Sequence, residues 1–248
     1  MSTFKRSFQA GSGGEFPTNC SLKPDGVYVL QQAQPTAGAF PDRTQLIAWI
    51  RNCVLGDLRT LRVGISVYLA DERRFGAAGL AGANFLLAAG CSTALEYLAR
   101  IFKGDLNSVE NVRSYAQAFL TPRYAEVADL LQRVLRNGLI HGSWPKTFCL
   151  ESDPSTRITV GIGVRPEDPH LAPVPGWPGY SFGINAVRFL EDLESSVNEG
   201  FAPWIAECTD NSVLERGAPG LLVVSDDDAA RKQVQRIVQW NDESRTSG

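Results

Sequence analysis

From Leu46 to Leu135 the apolar residues of this chain recur every three or four positions, and from Ile158 to Val164 they recur every second one. The first spacing lays a stripe along a helix, and the second lays one face along a strand. A chain that carries four helical stripes before its first clear alternation is committed to a mainly α core. Any sizeable sheet must be added late.

The stripes have boundaries that can be read. Asp42 to Thr44 supply N-cap side chains, and the first helix is expected from there to about Glu72, with Leu46, Ile50, Val54, Leu58, Leu61, Ile65 and Leu69 on one side. Gly56 and Gly64 weaken it locally. A second helix is expected from about Asn84 to Phe102, with Leu87, Cys91, Leu95 and Leu98 on a face and Gly104 as its stop. A third runs from about Ser108 to Leu120, ahead of Pro122, and a fourth from about Arg123 to His141. Short connections between such helices make a bundle.

Beyond it, 157–164 and 180–185 read as strands on either side of a proline-rich loop, with a helix over about 186–199, a short strand at 221–224 and a last helix over about 227–240. The organisation expected is a mobile arm over 1–41, with one short strand at 27–30, then a helical bundle over 42–147. A β-hairpin and helix appendage over 148–241 packs on the bundle, and a disordered tail covers 242–248.

Composition narrows the function. With 44% hydrophobic and 21% charged residues over 248 positions, the chain has enough apolar material for a real core. A net charge of -3 argues against a general nucleic-acid coat, which needs many Lys and Arg contacts. Five scattered cysteines without a CxxC pair, and only two histidines, make a zinc site hard to assemble and suit reduced thiols in the cytoplasm. The N-terminus lacks the apolar core of a secretory signal. Phe75 to Leu95 runs without a charge, but its Gly and Ala content and lack of aromatic flanks favour a buried helix over a membrane span.

Several small motifs reduce to structural readings. Gly13-Gly14-Glu15-Phe16 is one residue short of a cyclase signature and lies in the arm. Ser225 to Asp228 reads as a helix N-terminus, where caps and acids suit the free N–H groups. Gly161-Ile162-Gly163 lacks the third glycine of a dinucleotide loop. Cys149 has no orienting group beside it, and His170, between Pro169 and Leu171, reads as an exposed loop residue. Trp177, Tyr180 and Phe182 have the chemistry to stack a base, but covering the bundle is the simpler role.

The run Arg136-Asn137-Gly138-Leu139-Ile140-His141 is different. Arginine binds phosphate with a permanent, fork-shaped charge, and imidazole moves protons near neutral pH. Cations at a helix C-terminus also offset the helix dipole, so a structural reading stands beside the chemical one. On an ideal helix Asn137 and His141 share a face, whereas Arg136 lies about 140° from His141.

An Arg, four intervening residues and a His, closing the last of four helices, resemble the HEPN domain superfamily. The wider run from Leu135 to His141, with Trp144-Pro145-Lys146 after it, is similar to a bacterial group of uncharacterised HEPN-like proteins. So is Asn84 to Leu98, and the resemblance covers roughly residues 43–147. It implies an all-α, usually dimeric fold whose active members are metal-independent endoribonucleases, some in toxin or defence systems. Arg136 would then hold the scissile phosphate, His141 would be the general base or acid, and Asn137 would orient either group. Glu96 would face the motif from the second helix. No cofactor or metal is implied. RNA and a second copy of the chain are the expected partners, with a non-catalytic dimeric scaffold or binding module as the alternative.

Overall fold

A computed structural model describes residues 20–22, 28–30, 40–70, 83–104, 107–142, 147–149, 157–174 and 180–218, together with isolated positions at 152, 153, 155, 228, 231–233 and 235–239. The chain divides into two compact units, Met1–Thr36 and Ala37–Gly248. In the first, strands β1 (Cys20–Leu22) and β2 (Tyr28–Leu30) pair antiparallel, with Ser21 opposite Val29.

The second unit is mainly helical. Helix α1 (Arg43–Trp49) starts where Asp42 Oδ1 accepts the Gln45 N–H at 2.8 Å. The expected first helix then breaks. Residues Ile50–Val54 widen into a π-helical turn, and α2 (Gly56–Ala70) starts afresh after Leu55. The Arg51 carbonyl at this turn accepts from Arg59 Nη1 at 2.8 Å.

Helix α3 (Ala83–Lys103) is the axis of the core. Leu87, Ala88, Cys91, Leu95, Leu98, Ala99 and Ile101 are all fully buried along it. By length and composition it is apolar enough to cross a membrane. Half of that apolar window is buried inside the protein. Gly104 ends it at φ +88°, the left-handed conformation a glycine adopts without steric cost.

Helix α4 (Ser108–Phe119) is capped by Asn107, whose side chain accepts the Val109 N–H at 2.9 Å. The expected fourth helix is interrupted. It consists of α5 (Pro122–Glu126), a break at Val127, a π-helical stretch Leu130–Arg136, and α6 (Asn137–Gly142).

The C-terminal sheet differs from the hairpin expected. Strand β4 (Arg157–Gly163) pairs in parallel with β6 (Tyr180–Asn185), with Val160 opposite Phe182 and Ile162 opposite Ile184. Two short strands, β3 (Phe148–Cys149) and β5 (Ala172–Pro173), flank them antiparallel in the order β3-β4-β6-β5. A tight turn forces antiparallel pairing, whereas the long proline-rich connection after β4 can cross over and bring the chain back in the same direction. That crossover lies close over the strands. A Cβ at Gly163 would stand 2.4 Å from the Asp168 side chain, and one at Gly183 2.8 Å from Pro169.

Helix α7 (Ala186–Ser195), a π-helical turn Ser196–Phe201 and α8 (Ala202–Glu207) follow, then α9 (Ser212–Gly217). Asn185 caps α7 by accepting from Val187 and Arg188 N–H at 3.0 and 3.1 Å. Phe189, Leu190, Leu193, Val197, Phe201 and Ile205 enter the same hydrophobic core as α3. Phe102, Tyr115, Phe119, Phe201 and Trp204 form an aromatic cluster, with Phe201 and Trp204 stacked at 5.5 Å. Residues 231–233 and 235–239 are helical and exposed. The expected strand at 221–224 lies outside the described residues.

Candidate functional site

The Arg136 motif sits where the π-helical stretch tightens into α6. The Asn137 N–H bonds back to the Gln132 carbonyl, the last wide turn before ordinary α geometry. Leu131 and Leu135 are fully buried and Leu139 nearly so, and these fasten the segment to the core. Their burial leaves Arg136 on the half-exposed flank and Ile140 48% exposed.

Three of the four sequence candidates meet there. Arg136 Nε lies 2.8 Å from Glu96 Oε2 on α3, and Arg136 Nη1 donates to Asn137 Oδ1 at 2.9 Å. The Nε contact is an ion pair rather than an aligned N–H···O bond, since Nε makes no hydrogen bond of good geometry. The side chains of Arg136 and Glu96 are 27% and 28% exposed, so water still screens the pair. The guanidinium is thus held from two sides while part of it faces solvent. His141 follows one α-helical turn after Asn137 by its backbone, and its side chain lies outside the described residues.

The neighbouring charges are compensated. Asp129 receives Arg113 at 2.8 Å and Arg133 at 3.2 Å, and Arg113 also pairs with Glu110. A phosphate entering here would compete with carboxylates for every one of these arginines.

A second constellation was not legible in the sequence. His170 is not an exposed loop residue: its side chain is only 9% exposed. The crossover carries it inward, and Leu171 beside it is buried with φ +49°, a conformation rare for a branched side chain. Tyr124 donates its hydroxyl to Asp192 Oδ2 at 2.8 Å and stands 2.9 Å from His170 Nε2. His170 Nε2 is 3.2 Å from the same Asp192 oxygen, and the Asn185 N–H points into His170 Nδ1 at 3.2 Å. A donor at Nδ1 assigns the ring proton of the neutral form to Nε2, facing the carboxylate.

The titration of this network follows from its geometry. Burial works against an ionised Asp192, but the hydrogen bonds from His170 and Tyr124, with the nearby charges of His170 and Arg188, prevail. They hold its pKa below the ordinary aspartate value. Burial, then the Asp192 charge, pushes the Tyr124 phenol well above its usual range. Both ring nitrogens of His170 are engaged, which describes a fastener of the crossover rather than a proton carrier.

Asp192 also borders an open cleft of about 390 Å³, lined among others by Phe119, Thr121, Ser195 and Glu199. Two carboxylates on its wall make it a poor seat for a phosphate. Its lining does not include Arg136, Asn137 or Glu96.

The remaining sequence candidates have plain places. Cys149 is exposed on β3, and Phe182 packs against the core. Residues 13–16, Trp177, and Ser225 to Asp227 lie outside the described residues. Among the described residues no group of three or more His, Cys, Asp or Glu side chains is arranged to hold a metal.

No family model matches this chain, and neither a curated protein nor a solved structure does. What the fold defines is a mainly helical protein with a small mixed sheet.

Proposed function

We propose that the protein is a metal-independent endoribonuclease of the HEPN type, with Arg136 and His141 as its reacting pair. One observation supports the reading: two separate helices bring Glu96, Arg136 and Asn137 together, one turn before His141. In this mechanism His141 takes the proton of a ribose 2′-OH, whose oxygen attacks the adjacent phosphorus. The bond from phosphorus to the 5′-oxygen breaks, and that oxygen takes up a proton. A 2′,3′-cyclic phosphate and a 5′-hydroxyl result.

Arg136 neutralises the charge that grows on the phosphoryl oxygens, where a fixed donor is most effective. Glu96 and Asn137 position it, and the substrate phosphate displaces Glu96 as the guanidinium's anion. On an ideal helix Arg136 and His141 lie about 140° apart. In this reading a homodimer completes the cleft, with Arg136 from one chain and His141 from the other.

The second reading is a non-catalytic HEPN-like dimer that acts as a scaffold or binding module. It is favoured by the pairing of Arg136 with Glu96 and by the net charge of -3, neither of which helps capture RNA.

Cleavage of RNA in the presence of a chelator separates the two. The nuclease reading expects cyclic-phosphate ends from wild type, and a loss of about 100-fold or more in Arg136→Ala and His141→Ala. RNA left equally intact by wild type and His141→Ala overturns it.

A further inference from the structure

The cleft beside Asp192 has one chemical character on both of its walls. It lies between the end of α4 and the side of α7 with the π-helical turn that follows, and it holds about 390 Å³. Small-molecule sites fall in the range of roughly 300–1,000 Å³. Asp192, Ser195 and Glu199 line one wall, and Phe119, Leu120 and Thr121 the other. Helix α4 stops here, with its Leu120 cap in an extended conformation. The last carbonyls of a helix lack N–H partners within it and carry its negative partial charge. Carboxylates, hydroxyls and a carbonyl end thus surround an apolar strip. Among the described residues the lining includes no Lys, Arg or His.

Asp192 is the anchored member of this lining. Tyr124 and His170 are buried behind it, and both reach the same oxygen, Oδ2, at 2.8 and 3.2 Å. That leaves Oδ1 for the cleft, on a side chain 39% exposed. Burial opposes ionisation here, but these bonds hold the pKa below the ordinary aspartate value, so the group meets the cleft as a carboxylate at neutral pH. Arg188 adds its charge from outside the lining, where its guanidinium donates to the Pro166 carbonyl. Glu199 is exposed and follows Asp192 by seven positions, two turns or about 10 Å along the axis.

We propose that this cleft is a binding site for a linear aliphatic diamine, with one ammonium group on Asp192 and the other on Glu199. The alkyl chain between them lies along Phe119 and Leu120. Ser195 and Thr121 accept remaining ammonium protons, since an ammonium group is a pure donor and suits a lining of acceptors. The spacing favours such a ligand over a metal ion. A divalent cation gathers six or more oxygens within about 2.0–2.6 Å of one point, whereas carboxylates rooted about 10 Å apart offer two separate points. The site does not rest on the nuclease reading, because its lining includes none of Glu96, Arg136 or Asn137.

Isothermal titration calorimetry of the full chain with cadaverine, at neutral pH and low salt, tests the proposal. One-to-one binding is expected, with a dissociation constant of about 1 mM or tighter. Glu199→Gln, a nearly isosteric change at an exposed position, keeps the fold and weakens binding by about tenfold or more. Glu191→Gln, on the same helix but outside the cleft lining, leaves it unchanged. The monoamine n-pentylamine, which satisfies one carboxylate only, binds about tenfold more weakly than cadaverine. Wild type that does not bind cadaverine, or Glu199→Gln that binds it equally well, overturns the proposal. So does an equal loss in Glu191→Gln, which marks a diffuse attraction to an acidic surface. Equal binding of n-pentylamine, or displacement of cadaverine by an equal concentration of magnesium ions, also overturns it.

Discussion

The Arg136 and His170 sites use similar residue types to opposite ends. Around Arg136 an ion pair is about a quarter exposed to water, with one partner next in sequence and the other 40 positions away on α3. Around His170 a tyrosine from α5 and, from α7 and its cap, an aspartate and a backbone N–H engage both ring nitrogens. Water can replace either partner of the first pair at little cost. In the second, Tyr124 and the Asn185 N–H depend on buried partners, while Asp192, 39% exposed, keeps contact with the open cleft. A titratable cluster therefore signals chemistry only where its groups are still able to exchange partners.

That contrast can be broken by substitution. His170→Ala has the largest expected effect on stability, about 3 kcal/mol in chemical denaturation, because it empties buried volume and strands the Asn185 N–H. It should leave any RNA cleavage per folded molecule unchanged. A stability cost below about 0.5 kcal/mol would place His170 among ordinary surface residues after all. Tyr124→Phe should cost about 1–2 kcal/mol, which for a unit of this size lowers Tm by a few degrees.

Acid should expose the same network. The Asp192 pKa is depressed in the folded state, so its contribution to stability is present above the unfolded value of about 3.9 and is lost as pH falls through the folded value. Unfolding free energy measured from pH 6 downward should decline below about pH 4, and Asp192→Asn should flatten part of that decline. If the two pH profiles run parallel, the carboxylate is not held as described.

The smallest stability effect belongs to Glu96→Gln, at most about 1 kcal/mol for a pair this exposed. Its informative readout is anion binding. Freed from its carboxylate, Arg136 should bind a short RNA or inorganic phosphate more tightly, by fluorescence or calorimetry. Weaker binding would mean that Glu96 orients Arg136 and does not compete for it.

Much of the helical layout could be read because local rules decide it. Asp42 and Asn107 cap α1 and α4, Gly104 ends α3, and Pro122 opens α5 after α4 has stopped. The breaks could not be read. Ile50–Val54 and Leu130–Arg136 keep a helical apolar stripe while winding more loosely, and such stripes carry no mark of π geometry. At the candidate site, Asn137 beside Arg136 was visible as a neighbour. Glu96 was singled out only through resemblance to a family, not through spacing. His170 was misread because its partners Tyr124 and Asp192 lie 46 and 22 positions away, where no periodicity reaches.

Where elements begin, which faces are apolar and which residues are competent for phosphate chemistry are properties of short windows, and the amino-acid order by itself determined them. The tertiary structure alone decided the rest. The parallel pairing of β4 with β6, the inward turn of His170 under a strained Leu171 and the pairing of Arg136 with Glu96 all depend on groups far apart along the chain. Contacts of that kind are set by how the whole core closes, because each becomes favourable only once the others have excluded water.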